Sequence, residues 1–369
     1  PPARRPRQAP RLGAPGRRRT WLPLGISMIK LLATLTLVVL VAAAASMLIS
    51  LNENPPQQTP IVSATTSTRS QAHDSDAAPV ADTSLIETAG QQAGGLDTLL
   101  ATLYASSDVD ALLAGALVSQ HLLDPEEELY DSYRPEAFYA LALSLDARDP
   151  ILLFVLSNYC LSDGGSERFC QQNRYLQSFS EVSGDNAIAW AMRATQSYRS
   201  GDYHEIPSLL DKTGHAILFT DYWPEVMLVL LQAFQQADFS ADLQEAYISA
   251  FEVAPSSFLF YRDLLAMCTA SSELDNSAWL SGCQSLGRIM QQGSSLMTTS
   301  TGISIESSAN RSLGLETTLL SEQTAEVERL SALLTNVTRR GQIDAASLQR
   351  YLDDLAKYGE KESLSRMEP

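Results

Sequence analysis

The residues with the most specific chemistry in this chain are four histidines and four cysteines. His204 and His215 stand among Asp202, Glu205 and Asp211, a set of nitrogen and carboxylate donors that suits zinc. The two histidines are not an i, i+4 pair on one helix face, and their spacing puts them on different elements, so no metal site is assigned. His121 lies among leucines and reads as a packing or surface residue, and His73 falls in a linker. The chain has no HExxH, GxSxG, GxGxxG or phosphate-loop motif. Its acidic run from Asp124 to Glu128 suits the positive end of a helix dipole better than a pair of catalytic carboxylates. No catalytic residue and no cofactor is assigned, and the chain reads as a non-enzyme.

Cys160 and Cys170 form one local pair, Cys268 and Cys283 another, and neither is spaced as CxxC. In an exported protein the first reading is two disulfides; buried free thiols are the alternative.

The compartment is indicated by Leu31 to Leu51, LLATLTLVVLVAAAASMLISL, 21 residues without a charge. As a helix it is about 31 Å long, close to the hydrocarbon thickness of a bilayer. Residues 1–30 carry Arg4, Arg5, Arg7, Arg11, Arg17, Arg18, Arg19 and Lys30 and no acid. The rest holds all 43 acids and the remaining 18 bases, 18 − 43 = −25. A basic flank before one apolar span predicts a cytoplasmic N-terminus and an exported acidic domain, periplasmic in a Gram-negative bacterium. Met28-Ile29-Lys30 reads as a natural start, which leaves the native status of residues 1–27 open. Ala43 and Ala45 offer a small-x-small cleavage site, so a signal peptide is the alternative to a single-pass anchor. The acidic surface excludes nucleic-acid binding as an expectation.

Residues 52–95 read as a flexible linker rich in Pro, Ser, Thr, Gln and Ala, without an aromatic residue. From Leu96 to Tyr358 the pattern is helical, with no sustained period-two alternation. Pro150, Pro224 and Pro255 each open an apolar run, as suits proline in a first helical turn, and Pro207 belongs to the first turn of a short helix. Gly164-Gly165, Ser183 to Asn186 and Ser200 to Asp202 mark turns between antiparallel neighbours. Large aromatics at Phe154, Trp190, Trp223 and Phe258 recur at spacings of 36, 33 and 35, the period of a helix–turn–helix solenoid.

Asn186 to Leu210, NAIAWAMRATQSYRSGDYHEIPSLL, resembles the tetratricopeptide repeat family. Asn186, Ala187, Trp190, Ala194, Gly201, Asp202 and Tyr203 fall where that motif has them. Arg193, Ser197 and Ile206 depart from its usual Leu, Tyr and Ala. The resemblance extends in period over residues 135–292. It implies an all-α solenoid of antiparallel helix pairs, whose inner groove binds a protein or peptide and which is not generally catalytic.

The expected repeat domain spans 96–292 and capping helices span 293–358. Leu313, Leu320, Val327 and Leu334 recur every seven residues, with Leu330 and Val337 between them, and predict a helix of about 25 residues. It reads as a cap on the solenoid; a coiled-coil seam is the alternative. Residues 359–369 read as a frayed tail. In a linear solenoid, cross-pairing of the cysteines would span about three repeats, so Cys160–Cys170 and Cys268–Cys283 are the predicted bridges.

The functional expectation is a membrane-anchored, exported scaffold for a protein or peptide partner. The alternative is an enzyme or enzyme subunit acting on envelope polymers, for which a polar pocket with a shifted carboxylate would be the mark.

Overall fold

Proline and short polar side chains set the helix starts. Asp149 accepts a hydrogen bond from Leu152 N at 2.7 Å, with Pro150 as the first helical residue. Asp242 caps Glu245 N at 2.9 Å and Asp344 caps Ser347 N at 2.9 Å in the same way. At Gly201 the chain leaves its helix with φ +77°. Asp202 N then reaches Ser197 O at 2.8 Å and Gly201 N reaches Tyr198 O at 3.2 Å, the paired closure of a Schellman end.

This is a computed structural model that describes residues 93–367, apart from 163–167, 171–173, 238, 241, 271–276 and 340. The basic segment, the apolar span 31–51 and the linker up to residue 92 lie outside the described residues. No helix among the described residues is long and apolar enough to cross a membrane.

The domain is all-α. Its helices are α1 (Ala93–Tyr104), α2 (Val109–Leu122), α3 (Glu128–Ser132), α4 (Pro135–Leu145), α5 (Pro150–Leu161), α6 (Tyr175–Val182), α7 (Ala187–Ser200) and α8 (Ile206–His215). They continue as α9 (Trp223–Gln236), α10 (Leu243–Val253), α11 (Phe260–Ala270), α12 (Ser277–Met290), α13 (Leu296–Leu313), α14 (Thr318–Thr338), α15 (Ala345–Tyr358) and α16 (Glu360–Arg366). The first helix begins within the stretch expected as linker. Pro255 opens a 3-10 turn, Ala254–Phe258, and the helix expected to start there begins at Phe260.

Sequential pairs pack against each other as the short turns require: α5 on α6, α7 on α8, α9 on α10. The pairs do not, however, stack strictly in line. In a one-dimensional solenoid each repeat touches only its neighbours. Here α9 lies on α2, α7 on α11, α8 on α12, and α15 reaches back to α9. The helix pairs are folded onto one another around a shared core. Phe154 sits in it at 0% exposure, with ring centroids 5.5 Å from Phe258, 5.4 Å from Tyr222 and 6.0 Å from Phe179.

Helices α12 and α13 cross in close contact. A Cβ on Gly287 would lie 2.7 Å from Gly302 O, and one on Gly302 would lie 2.7 Å from Gly287 O. Only glycine lets the two backbones approach so closely. Arg288 Nε and Gln291 Nε2, both at 2.7 Å, close over the crossing by donating to Glu306. The polar stretch after Gln292 is thus a helix that buries small residues, Thr298, Thr299 and Gly302, beside the larger Leu296, Ile303 and Ile305.

The heptad helix is shorter than expected. Gly314, with φ +68°, ends α13, so Leu313 belongs to the preceding element. Helix α14 buries Leu320, Leu330 and Val337 and packs against α13, α10 and α16. The frayed tail is corrected as well: residues 360–366 are helix α16, with Glu360, Ser363 and Leu364 buried.

Candidate functional site

The segment from Ala216 to Trp223, between α8 and α9, brings the most unusual features of the domain together. Its first half runs extended beside the start of α7. Ile217 N donates to Asp185 O at 3.0 Å, and Ala187 N donates to Leu218 O at 2.9 Å. Asn186 then pins it. The side-chain amide of Asn186 donates to Thr220 O at 2.9 Å, while its carbonyl oxygen accepts from Thr220 N at 3.0 Å and from Ile188 N at 3.3 Å. One asparagine, 2% exposed, therefore both caps α7 and mimics a strand partner for the segment.

Held in this way, the segment presents apolar side chains outward. Ile217 is 81% exposed and Leu218 41%. Beside them opens a shallow cleft of about 240 Å³, lined by Pro150, Val182, Ser183, Asp185, Asn186, Leu218, Thr220 and Tyr222. Tyr222 lies in the left-handed region at φ 55°, which costs a non-glycine residue about 1 kcal/mol. Packing of its ring at 5.4 Å from Phe154 and 6.3 Å from Phe179 holds it there.

The residues on either side of Tyr222 point inward. Asp221 is 1% exposed. Its Oδ2 accepts from the hydroxyls of Ser295 and Thr298, and from Tyr261 OH at 3.3 Å; its Oδ1 accepts from Trp223 N at 3.2 Å. Trp223 then donates its indole N–H at 3.0 Å to Oε1 of Glu360, whose Oε2 accepts from Leu296 N at 2.7 Å. Two carboxyl groups thus meet at the N-terminus of α13, where unpaired N–H groups and the helix dipole favour negative charge. Burial outweighs that favour at Glu360: desolvation, with the negative charge of Asp221 added, raises its pKa to about 7 against the N–H bonds from Leu296 and Trp223. Burial also raises Glu225, on the first turn of α9. Tyr261 is pushed well above the usual phenol range, first by burial and then by Asp221.

The residues singled out by sequence occupy varied settings. Trp190 is half-buried, with its indole N–H on Gly184 O at 2.7 Å. Lys212 Nζ stands 4.4 Å from the Trp190 ring centroid and the Arg193 guanidinium 5.6 Å. Arg193, where the tetratricopeptide pattern has Leu, thus makes a cation–π contact in place of an aliphatic one. Ala194 is fully buried in α7, and Gly201 forms the Schellman end. Tyr203 is 48% exposed, with Tyr198 at 5.9 Å and Trp279 at 6.0 Å. Trp223 packs on Phe251 at 5.8 Å and on Phe258 at 5.3 Å. The four aromatics are therefore not equivalent: Phe154, Trp223 and Phe258 share one cluster, and Trp190 lies at the surface.

Cys160 is bonded to Cys170 and Cys268 to Cys283, the predicted local pairs, and no free cysteine remains. Of the metal-donor candidates, Asp202, His204 and Glu205 gather within 4.8 Å at an exposed turn, with His204 Nδ1 3.0 Å from Asp202 Oδ1. His215 is the last residue of α8, at the other end of that helix, and its Nδ1 lies 2.8 Å from Asp211 O.

Sequence reading passed over Asp221, Asn186 as a pin and Glu360. A usable signal for Glu360 was Gly359 directly before an acidic first turn, with Leu364 and Met367 beyond it at helical spacing. Comparison of the chain with family models, curated proteins and solved structures finds no match in any of the three.

Proposed function

We propose that the chain is a membrane-anchored, exported helical scaffold that binds a protein or peptide partner on the face formed by Ile217, Leu218 and the adjoining cleft. The observation that carries this reading is the pinned, extended segment that holds Ile217 81% exposed. A side chain of that size is normally buried, and here it is displayed on a backbone fixed by Asn186 and Asp185. Anchoring through residues 31–51 and export of the acidic domain rest on the charge asymmetry across that span. Two disulfides that use all four cysteines support an oxidising compartment.

The scaffold itself is proposed as a tetratricopeptide-like set of helix pairs closed around one core, which places the partner surface on the loop side rather than in an open inner groove. The envelope-polymer enzyme is the weaker alternative. The most shifted carboxyl, Glu360, is 2% exposed and does not line the cleft. A photo-crosslinking residue at position 217 of the full chain in native membranes tests the proposal, with position 331 as an exposed control. Specific adducts at 217, lost on Asn186→Ala, are expected. Equal labelling at the two positions would remove the proposed surface.

A further inference from the structure

Helix α16 is short, and its hold on the domain is concentrated at its start. Gly359 turns the chain out of α15 at φ +79°, where a Cβ would lie 2.5 Å from Ser294 Cβ. Lys361 N then donates to Ser294 O at 3.1 Å, and Lys361 Nζ to Gln291 O at 2.9 Å. Between them Glu360 inserts its carboxyl between the indole of Trp223 and the first N–H of α13. The fastening of α16 thus centres on a carboxyl group 2% exposed, with a second carboxyl, that of Asp221, at the other side of Trp223.

The groups around Glu360 offer it no counter-ion. Asp221 faces it from the loop before α9 and Glu225 sits on the first turn of α9. The phenols of Tyr247 on α10 and Tyr351 on α15 lie within its electrostatic reach, and Tyr261 on α11 binds Asp221. Lys361, on α16 itself, spends its ammonium on Gln291 O, and burial lowers its pKa; Glu326 of α14 interacts with it. Among the described residues no Lys, Arg or His forms a hydrogen bond or ion pair with Glu360 or Asp221. A second negative charge here would be met only by two N–H groups and the end of a helix.

We propose that α16 is a pH-gated latch: neutral Glu360 holds α16 against Trp223 and the start of α13, and its ionisation beside Asp221 releases it. Release uncovers Leu364, which is fully buried when α16 is docked, together with the indole edge of Trp223. The released proton goes to solvent, and no other group need change its charge. Because the docked carboxyl holds its proton to about pH 7 and a free one only to 4.5, the hold is complete below pH 4.5. It weakens as pH rises to about 7 and is constant above that.

Hydrogen–deuterium exchange of the full chain in detergent micelles reads the latch directly, with rates corrected for the intrinsic pH dependence. Protection of residues 360–366 is expected to fall on the order of a hundredfold between pH 5 and 8, while α5 keeps its protection. Glu360→Gln is expected to flatten that dependence, and Asp221→Asn to move its midpoint to lower pH. Infrared titration of the wild-type chain needs no variant: the band of a buried neutral carboxyl should vanish with a midpoint near pH 7, where the fall in protection levels off. A wild-type α16 whose protection ignores pH, a Glu360→Gln variant with the wild-type slope, or a carboxyl band already lost at pH 5 would each overturn the latch.

Discussion

Phe154 and Phe258 stand three repeat spacings apart in sequence and hold their rings 5.5 Å apart in the core. The contact distinguishes a closed bundle of helix pairs from a linear stack, in which such positions are separated by intervening repeats. Each ring is at most 3% exposed. Phe154→Ala and Phe258→Ala should each destabilise by about 3–5 kcal/mol. The two losses should not add: a double-mutant cycle by urea unfolding is expected to give a coupling of about 1 kcal/mol. Additive losses would restore the linear arrangement.

The two disulfides close short loops, with sequence separations of 10 and 15. Each is expected to contribute on the order of 3 kcal/mol, mainly by restricting the unfolded chain. The Cys268→Ser, Cys283→Ser double variant should therefore unfold at lower urea and reach the same midpoint with or without reductant, apart from what the other bridge contributes. A peptide map of unreduced protein checks the pairing; a link between 160 and 268 would contradict it.

What the sequence made legible was local. Proline positions, the Asn186 cap, the Gly201 end and the cysteine pairing all depend on neighbours within one turn or one helix pair, and each can be read from residue type and spacing. The spacing of 33 to 36 between aromatics is also local, since it records the length of a helix pair and says nothing about how pairs meet. The meeting of α9 with α2 and of Phe154 with Phe258 depends on which faces close together in three dimensions. Helix α16 is marked in the sequence only by Gly359 and the acidic turn after it; seven residues with one fully buried leucine carry little periodicity, and its stability comes from the contacts of Glu360 and Leu364. Asp221 and Glu360 look like ordinary surface acids until their partners at the start of α13 are known.

Asn186 controls the displayed segment. Asn186→Ala removes both hydrogen bonds to Thr220 and the cap on Ile188 N. The expected loss is about 1–2 kcal/mol, since the cap and both bonds that hold the half-buried Thr220 are lost. The segment around Ile217 should become the first site of limited proteolysis, while the core stays folded. Asn186→Asp keeps the acceptor and loses the donor, so it should fall between Ala and wild type. Cleavage patterns identical to wild type in both variants would show that the segment is held by something other than Asn186.

Global stability should carry the mark of Glu360. Its pKa is about 7 in the folded chain against 4.5 in a free carboxyl, so the folded state binds the extra proton between those values. Stability contributed by this group is present below pH 4.5 and lost as pH rises to about 7. The full effect is on the order of 3 kcal/mol. Urea midpoints of wild type and Glu360→Gln measured from pH 4.5 to 8 should differ in slope by that amount over the window and run parallel above it. Carboxylates elsewhere act in both chains and cancel in the comparison. A difference that grows above pH 7.5 would assign the titration to another group.

The crossing of α12 and α13 separates two reasons for glycine. At Gly201 nothing lies within 4 Å of an added Cβ, and the only obstacle is the positive φ of 77°. Gly201→Ala should therefore cost about 1 kcal/mol and leave the structure in place. At Gly302 the backbone is helical and alanine is the better helix former, so a solvent-exposed site would gain from the change. Here the added Cβ meets Gly287 O at 2.7 Å and Met290 Cβ at 2.8 Å, and both neighbours belong to a packed helix. Gly302→Ala must push α13 away from α12, which strains the Arg288–Glu306 and Gln291–Glu306 contacts across the crossing. A loss of about 1–3 kcal/mol is expected, and Gly287→Ala should behave alike. The double variant should cost less than the sum, because one displacement of the helices makes room for both methyl groups. Thermal unfolding of the four chains decides it: a stabilised Gly302→Ala would mean that α12 and α13 do not cross in contact.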